Sequence, residues 1–244
     1  MPTRTNNPFL RRGMNFASAP AFAADRMTME GTVNKCFMLL VALLLGALYP
    51  WMHPAAATSS AALILGSIGG FVLAMVVSFK AQWSPYLALP YALLEGLAMG
   101  GISALFERRY PGIAIESVAL TFATLGAMLL LYRTGVIRVT NTFRTVVFAA
   151  TGAIALLYIV TVILGFFHVH TGLINSASPL SIGISLVIVG VAALNLALDF
   201  DMIESGVRGG APRYFEWYSA FALTVTLVWL YMEILRLMSK IKQD

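Results

Sequence analysis

Charged residues are scarce in this sequence, since Asp, Glu, Lys and Arg make up only 11% of its 244 residues. A typical soluble domain carries about 25% charged residues, so the low share excludes an ordinary soluble fold. Hydrophobic residues supply 59% of the chain, and the mean hydropathy is +0.82. Because helices satisfy their own backbone hydrogen bonds in lipid, the composition predicts an all-α, polytopic integral membrane protein.

Cysteine is nearly absent, because Cys36 is the only one in the chain. One cysteine excludes an intrachain disulfide and any metal site built from cysteines alone. The sequence also lacks a Gly-rich phosphate loop, a nucleophile elbow and a His-Glu-x-x-His helix. We therefore expect no enzymatic activity and no bound cofactor.

Basic residues outnumber acidic ones, 16 to 11, which gives a formal net charge of +5. They lie scattered between apolar runs and form no stripe that would favour nucleic acid. When the apolar runs are treated as membrane spans, eleven basic residues, including Lys35, fall on the N-terminal side, and five, including Lys240, fall on the other. Cytoplasmic loops carry the excess of Lys and Arg, so we predict a cytoplasmic N-terminus and an external C-terminus.

Seven apolar runs each approach the ~20 residues that a helix needs to cross a bilayer. The predicted spans are Lys35–Met52, Thr58–Phe79, Pro85–Phe106, Ala114–Tyr132, Phe143–Phe167, Ser176–Met202 and Tyr214–Met238. Their short connections predict one transmembrane domain over residues 34–240, preceded by a flexible cytoplasmic arm, residues 1–33. A cleavable signal sequence that includes the first span and ends near Ala55-Ala56-Ala57 is the alternative for this end of the chain.

Small residues recur at helix-packing spacing in two of the spans. Gly66-x-x-x-Gly70 lies in the second span and Gly96-x-x-x-Gly100 in the third. Such pairs let helix backbones approach closely where no hydrophobic effect drives association. We predict tight packing within the bundle, with dimerisation through the same glycines as the alternative.

Two of the carboxylates within the predicted spans, Asp199 and Glu95, are the main candidates for an ion pathway. Asp199 lies near the end of the apolar run that begins at Pro179, and Glu95 lies about 15 Å deep in the third span at 1.5 Å per residue. A carboxylate in hydrocarbon needs a partner, a water-filled path or a proton. Glu95 is therefore either a protonated residue hydrogen-bonded between helices or a carboxylate that lines a polar pathway.

Asp199 and Asp201 cannot both face one pore if the helix continues through them. Residues two positions apart in a helix point about 200° away from each other around the helix axis. We therefore predict that Asp199 faces the interior, whereas Asp201 marks the solvated helix end. Glu216 begins the seventh span, which a short loop joins to the sixth, so we expect it to form an acidic cluster with Asp199 and Asp201.

Several of these groups resemble a known family when taken together. The residues that carry the resemblance are Glu95-Gly96, the polar Thr121 and Thr124 of the fourth span, Leu198-Asp199-Phe200-Asp201-Met202-Ile203, and Trp229-Leu230-Tyr231-x-x-Ile234-Leu235-Arg236-Leu237. Over roughly residues 28–240, the chain is similar to the Bax inhibitor-1 (transmembrane Bax inhibitor motif) family. The short basic arm indicates a bacterial branch of that family, located in the inner membrane.

The resemblance implies a seven-helix bundle with a central last helix and a pH-sensitive calcium leak. In that family two aspartates, one ending span six and one within span seven, share a proton and latch the cytoplasmic side of the pore. Asp199 matches the first, but Thr226 occupies the position of the second. Asp201, Glu216 or Glu95 would replace the missing acid only within about 4 to 6 Å of Asp199.

These observations predict a calcium leak gated by protonation around Asp199, with calcium and protons as its ions. Calcium prefers oxygen ligands, so its candidate transient ligands are Asp199 and the nearby amide and hydroxyl groups of Asn195, Thr224 and Thr226. A non-conducting adaptor that regulates a membrane protease or another membrane-protein partner is the first alternative. A proton-coupled transporter of a small solute, with Glu95 accessible from both sides in turn, is the second.

Overall fold

The computed structural model describes residues 26–53, 60–167, 176 and 178–243, and these residues are almost entirely helical. The helices are α1 (Met29–Met52), α2 (Ser60–Phe79), α3 (Ser84–Arg109), α4 (Ile113–Arg133), α5 (Asn141–Phe166), α6 (Pro179–Arg208) and α7 (Tyr214–Ile241). A single 3-10 turn, Ala81–Trp83, precedes α3. In the described part of the chain the only strand-like pairing is the bridge between Arg26 and Pro212. The all-α prediction is therefore confirmed.

Among the described residues, six helices are long and apolar enough to cross a membrane: α1 and α3 to α7. The described side chains of α2 form a shorter apolar segment, Leu63–Phe79. Helix α7 is the most buried of the six candidate spans, with 56% of its most apolar stretch buried against 6% for α5. That burial is expected of a helix packed on several sides, such as the central last helix that the resemblance implies.

Two helices extend six residues beyond the spans predicted from hydropathy, whereas the other helix ends differ by three residues or fewer. Helix α1 begins at Met29, six residues before the predicted start, because Thr28 caps it by accepting a hydrogen bond from the Gly31 N–H. Helix α6 continues past Met202 to Arg208, where Gly209 and Gly210 follow. The predicted helix end at Asp201 is therefore wrong. Most of the predicted arm and the Ala55-Ala56-Ala57 segment lie outside the described residues.

The described residues divide into two compact units. The first contains the chain up to Gly101 and Asp201–Thr224, so it holds α1, α2, most of α3 and the start of α7. The second contains Ile102–Phe200 and the chain from Val225, so it holds α4, α5, most of α6 and the rest of α7.

Close helix packing in the first unit depends on the glycines singled out in the sequence. A Cβ atom at Gly96 would overlap the Leu43 carbonyl oxygen of α1, and one at Gly100 would overlap that of Ala47. A Cβ at Gly66 of α2 would come within 2.8 Å of the Ala98 nitrogen of α3. The prediction of tight packing within the bundle is confirmed for both glycine pairs.

Replacing Gly96 by Ala is expected to destabilise the protein by about 1 to 3 kcal/mol, because the added methyl group forces two helix backbones apart. Gly126→Ala in α4 is the matched control, since a Cβ there would meet nothing within 4 Å. Thermal unfolding of the purified proteins in detergent measures the difference. Equal melting temperatures for the two variants would contradict the close approach of α1 and α3.

Candidate functional site

Asp199 is a buried carboxylate in the second half of α6, nine residues before its end at Arg208, with 9% of its surface exposed. Thr226 of α7 is a side-chain hydrogen-bond partner of this carboxylate. Its Oδ2 atom is buried and has no hydrogen-bond partner within the described part of the chain. Asp199 therefore has one polar neighbour from α7 and one oxygen whose hydrogen-bonding capacity is unused.

Asn195 lies one helical turn before Asp199, so the two side chains project from the same side of α6. Its Nδ2 donates to Thr151 Oγ1 of α5 at 2.9 Å and to the Val191 carbonyl oxygen at 2.9 Å. The second unit thus contains a polar group formed by α5, α6 and α7. We call Thr151, Asn195, Asp199 and Thr226 the Asp199 group.

Asp201 differs from Asp199 although only Phe200 separates them. The helix continues through both residues, so the two carboxylates point in directions about 200° apart, as predicted. Asp201 is half-buried. Glu204 and Arg208, farther along the same helix, form a surface ion pair at 3.3 Å. The end of α6 is therefore charged and partly solvated, whereas Asp199 is buried.

Glu95 is half-buried on α3 and lies against the backbone of α2. A Cβ atom at Gly70 would come within 2.5 Å of Glu95 Oε2. One turn earlier, the buried Tyr91 packs edge-on against Phe221 of α7, with ring centroids 4.9 Å apart. The absence of a side chain at Gly70 is what leaves room for the Glu95 carboxylate.

Glu216 begins α7 and is almost fully buried, with 2% of its surface exposed. Its carboxylate forms an ion pair with Lys35 of α1 and accepts hydrogen bonds from the Thr28 backbone N–H at 2.8 Å and the Thr28 hydroxyl at 3.0 Å. These contacts attach the first turn of α7 to the first turns of α1. The acidic cluster with Asp199 and Asp201 stays a prediction.

A polar cluster in the second unit lies near the end of α7. Glu233 pairs with Arg236 at 3.1 Å, as their spacing predicts, and Tyr158 of α5 donates to Glu233 at 2.7 Å. The Arg236 guanidinium also donates to the Tyr158 hydroxyl at 2.6 Å. The sequence predicts the ion pair from its one-turn spacing, but nothing in it indicates the tyrosine.

The count of basic residues assigns Lys240 to an external loop, but in the structure its side chain is buried, with 3% of the residue exposed. Its Nζ donates to the hydroxyls of Ser181 at 2.8 Å and Ser185 at 2.7 Å, both on α6. The two serines are four residues apart and so share one helix face. The four-residue spacing of Ser181 and Ser185 is the feature of the sequence that indicates a polar helix face able to bind Lys240.

No resident metal site emerges from the described residues, because no three His, Cys, Asp or Glu side chains come together there. The Asp199 group offers one carboxylate, two hydroxyls and an amide. Such a set provides few oxygens compared with the six to eight that calcium takes in a tight site.

Comparison with known proteins identifies the family. The family model described as Bax inhibitor 1 like matches residues 7–243, which is nearly the whole chain. A search of curated proteins and a search of solved structures each found no match. The family match agrees with the sequence resemblance and with the apolar helices. The chain therefore belongs to the Bax inhibitor 1 like family of membrane proteins.

Proposed function

We propose that the chain is a pH-sensitive calcium leak in which protonation of Asp199 changes the state of the pathway. The observation that carries this proposal is the buried Asp199 Oδ2 atom, which has no hydrogen-bond partner among the described residues. An ionised carboxylate with an unsatisfied buried oxygen is costly. A proton, water or a passing cation would each remove part of that cost.

The neighbours of Asp199 support a weak rather than a tight cation site. Thr226 offers one hydroxyl, and the Asn195 amide already donates to Thr151 and to its own helix. A conducting site must bind an ion well enough to admit it and weakly enough to release it. An incomplete set of oxygen ligands meets both requirements for a divalent cation.

Because Thr226 is a hydrogen-bond partner of Asp199, a gate can work with one aspartate instead of two. Ionised Asp199 accepts a hydrogen bond from the Thr226 hydroxyl, whereas a protonated carboxyl group also acts as a donor. Protonation therefore changes the hydrogen bonding between α6 and α7. We infer that this exchange replaces the shared proton of the two-aspartate pair, with Thr226 standing in place of the second acid.

The distribution of basic residues supports a membrane orientation with the N-terminus in the cytoplasm. The side with eleven of the 16 Lys and Arg residues is assigned to the cytoplasm. We propose a bacterial inner membrane, with the N-terminus cytoplasmic and the C-terminus outside. In this orientation Asp199, in the half of α6 that leads to the α6–α7 loop, controls the cytoplasmic side of the pathway.

Calcium flux into liposomes tests the proposal. The purified full-length chain is reconstituted with an internal calcium dye, and uptake is followed between about pH 6 and pH 8. We expect uptake above that of protein-free liposomes and a rate that changes with pH. A rate equal to that of protein-free liposomes at every pH would contradict the leak and favour the non-conducting adaptor.

A further inference from the structure

A pocket of about 410 Å³ lies in the first unit, where α1 and α7 begin. Three basic side chains line it, Arg26, Lys35 and Arg213, together with the acidic Glu216. Lys35 forms an ion pair with Glu216, so these two charges largely compensate each other. The pocket is left with two positive charges from arginines, both of which belong to exposed residues.

Backbone contacts hold these two arginines near each other. Arg26 and Pro212 form an antiparallel bridge, and the Met27 N–H donates to the Ala211 carbonyl oxygen at 2.7 Å. Arg213 directly follows this pairing. The Arg26 side chain runs beside Gly210, where a Cβ atom would come within 3.8 Å of its Nη1 atom. Main-chain hydrogen bonds therefore hold the backbone of the two arginines beside the pocket.

The pocket continues onto an apolar surface. Met38 lines the pocket, and Val41 and Leu45 follow at helical spacing on the same side of α1; all three are exposed large hydrophobic residues. Trp217 also lines the pocket, and Lys35 Nζ lies 5.5 Å from the centroid of its ring. Tryptophan favours the headgroup level of a bilayer. The positively charged pocket therefore lies next to an apolar surface, in the same way that the headgroup of a lipid lies next to its acyl chains.

We propose that this pocket binds a phosphate group presented by an anionic lipid. Guanidinium groups match the geometry of phosphate oxygens, and basic pockets between membrane helices bind anionic headgroups. The apolar stripe on α1 favours a lipid over free phosphate, because it offers the acyl chains a surface beside the charges. The bound lipid would bridge α1 and the segment before α7.

Native mass spectrometry of the full-length protein in detergent tests this site. Phosphatidylglycerol, phosphatidylcholine and inorganic phosphate are titrated separately into wild type and Arg26→Gln/Arg213→Gln. We expect phosphatidylglycerol binding by the double variant to weaken about 25-fold, because each arginine near an anionic headgroup contributes a factor of about 5. Phosphatidylcholine, which has no net charge, is expected to bind weakly and equally to both.

Arg133→Gln/Arg138→Gln is the matched control, because it removes the same charge from two exposed arginines outside the pocket. Its affinity for phosphatidylglycerol is expected to stay within about 2-fold of wild type. Equal phosphatidylglycerol affinities for the pocket variant and wild type, with unchanged melting temperatures, would overturn the proposal. Loss of inorganic phosphate binding alone would assign the pocket to free phosphate and contradict the lipid.

Discussion

Asp199→Asn is expected to make calcium uptake into liposomes independent of pH between about pH 6 and pH 8. Asparagine keeps the size and hydrogen-bonding shape of the side chain but has no titrating proton. The introduced amide group should still pair with Thr226, the partner of Asp199 in the structure. The variant should therefore fold and conduct at one fixed rate, close to the wild-type rate at the acidic end of the range.

Glu204→Gln is the control for Asp199→Asn. Glu204 lies on the same helix, is partly exposed and pairs with Arg208, so the substitution removes a carboxylate of α6 outside the buried group. Its uptake should keep the wild-type pH dependence. A pH dependence preserved in Asp199→Asn and lost in Glu204→Gln would move the gate to the surface end of α6.

Lys35→Met is expected to give the largest loss of stability. It leaves the Glu216 carboxylate, 2% exposed, without its cationic partner. Removing one member of a buried ion pair costs about 3 to 5 kcal/mol, and we expect the lower end of this range because Arg26 and Arg213 line the same pocket. Thermal unfolding in detergent should show a strongly lowered melting temperature. Lys80→Met, at an exposed lysine of the same unit whose Nζ lies 4.4 Å from the Trp83 ring centroid, should cost no more than about 1 kcal/mol.

The double variant Lys35→Met/Glu216→Gln distinguishes two causes of that loss: the unpaired charge of Glu216 and the lost apolar contacts of the lysine stem. Removing both charges ends the cost of an unpaired buried carboxylate, so the double variant should recover most of the stability that Lys35→Met loses. If the double variant unfolds as early as the single one, the apolar contacts of the lysine stem matter more than its charge.

The helices could be predicted from the sequence, but two of their ends lie six residues beyond the predicted ones. An apolar run indicates only which part of a helix lies in hydrocarbon. Helix α1 begins before its apolar run, at a cap formed by Thr28, and α6 continues past its apolar run to Arg208. Capping and loop glycines decide such ends at the membrane surface. Hydropathy contains no signal for them.

The candidate site was predictable in part. Burial of Asp199 follows from its position in an apolar run, and the resemblance placed Thr226 where its partner should be. The pairing of Lys35 with Glu216 was not predictable, because 181 positions separate the two residues. Lys240 was missed for a related reason: counting basic residues assigns every lysine to a loop, although its serine partners lie on another helix.

Infrared difference spectroscopy of the reconstituted protein tests the central claim most directly, since it observes the carboxyl proton itself. We predict a protonated carboxyl band that appears as the pH falls from about 8 to 6, follows the same curve as the flux, and is missing in Asp199→Asn. A band that does not change with pH while the flux does would contradict the assignment of the gate to Asp199.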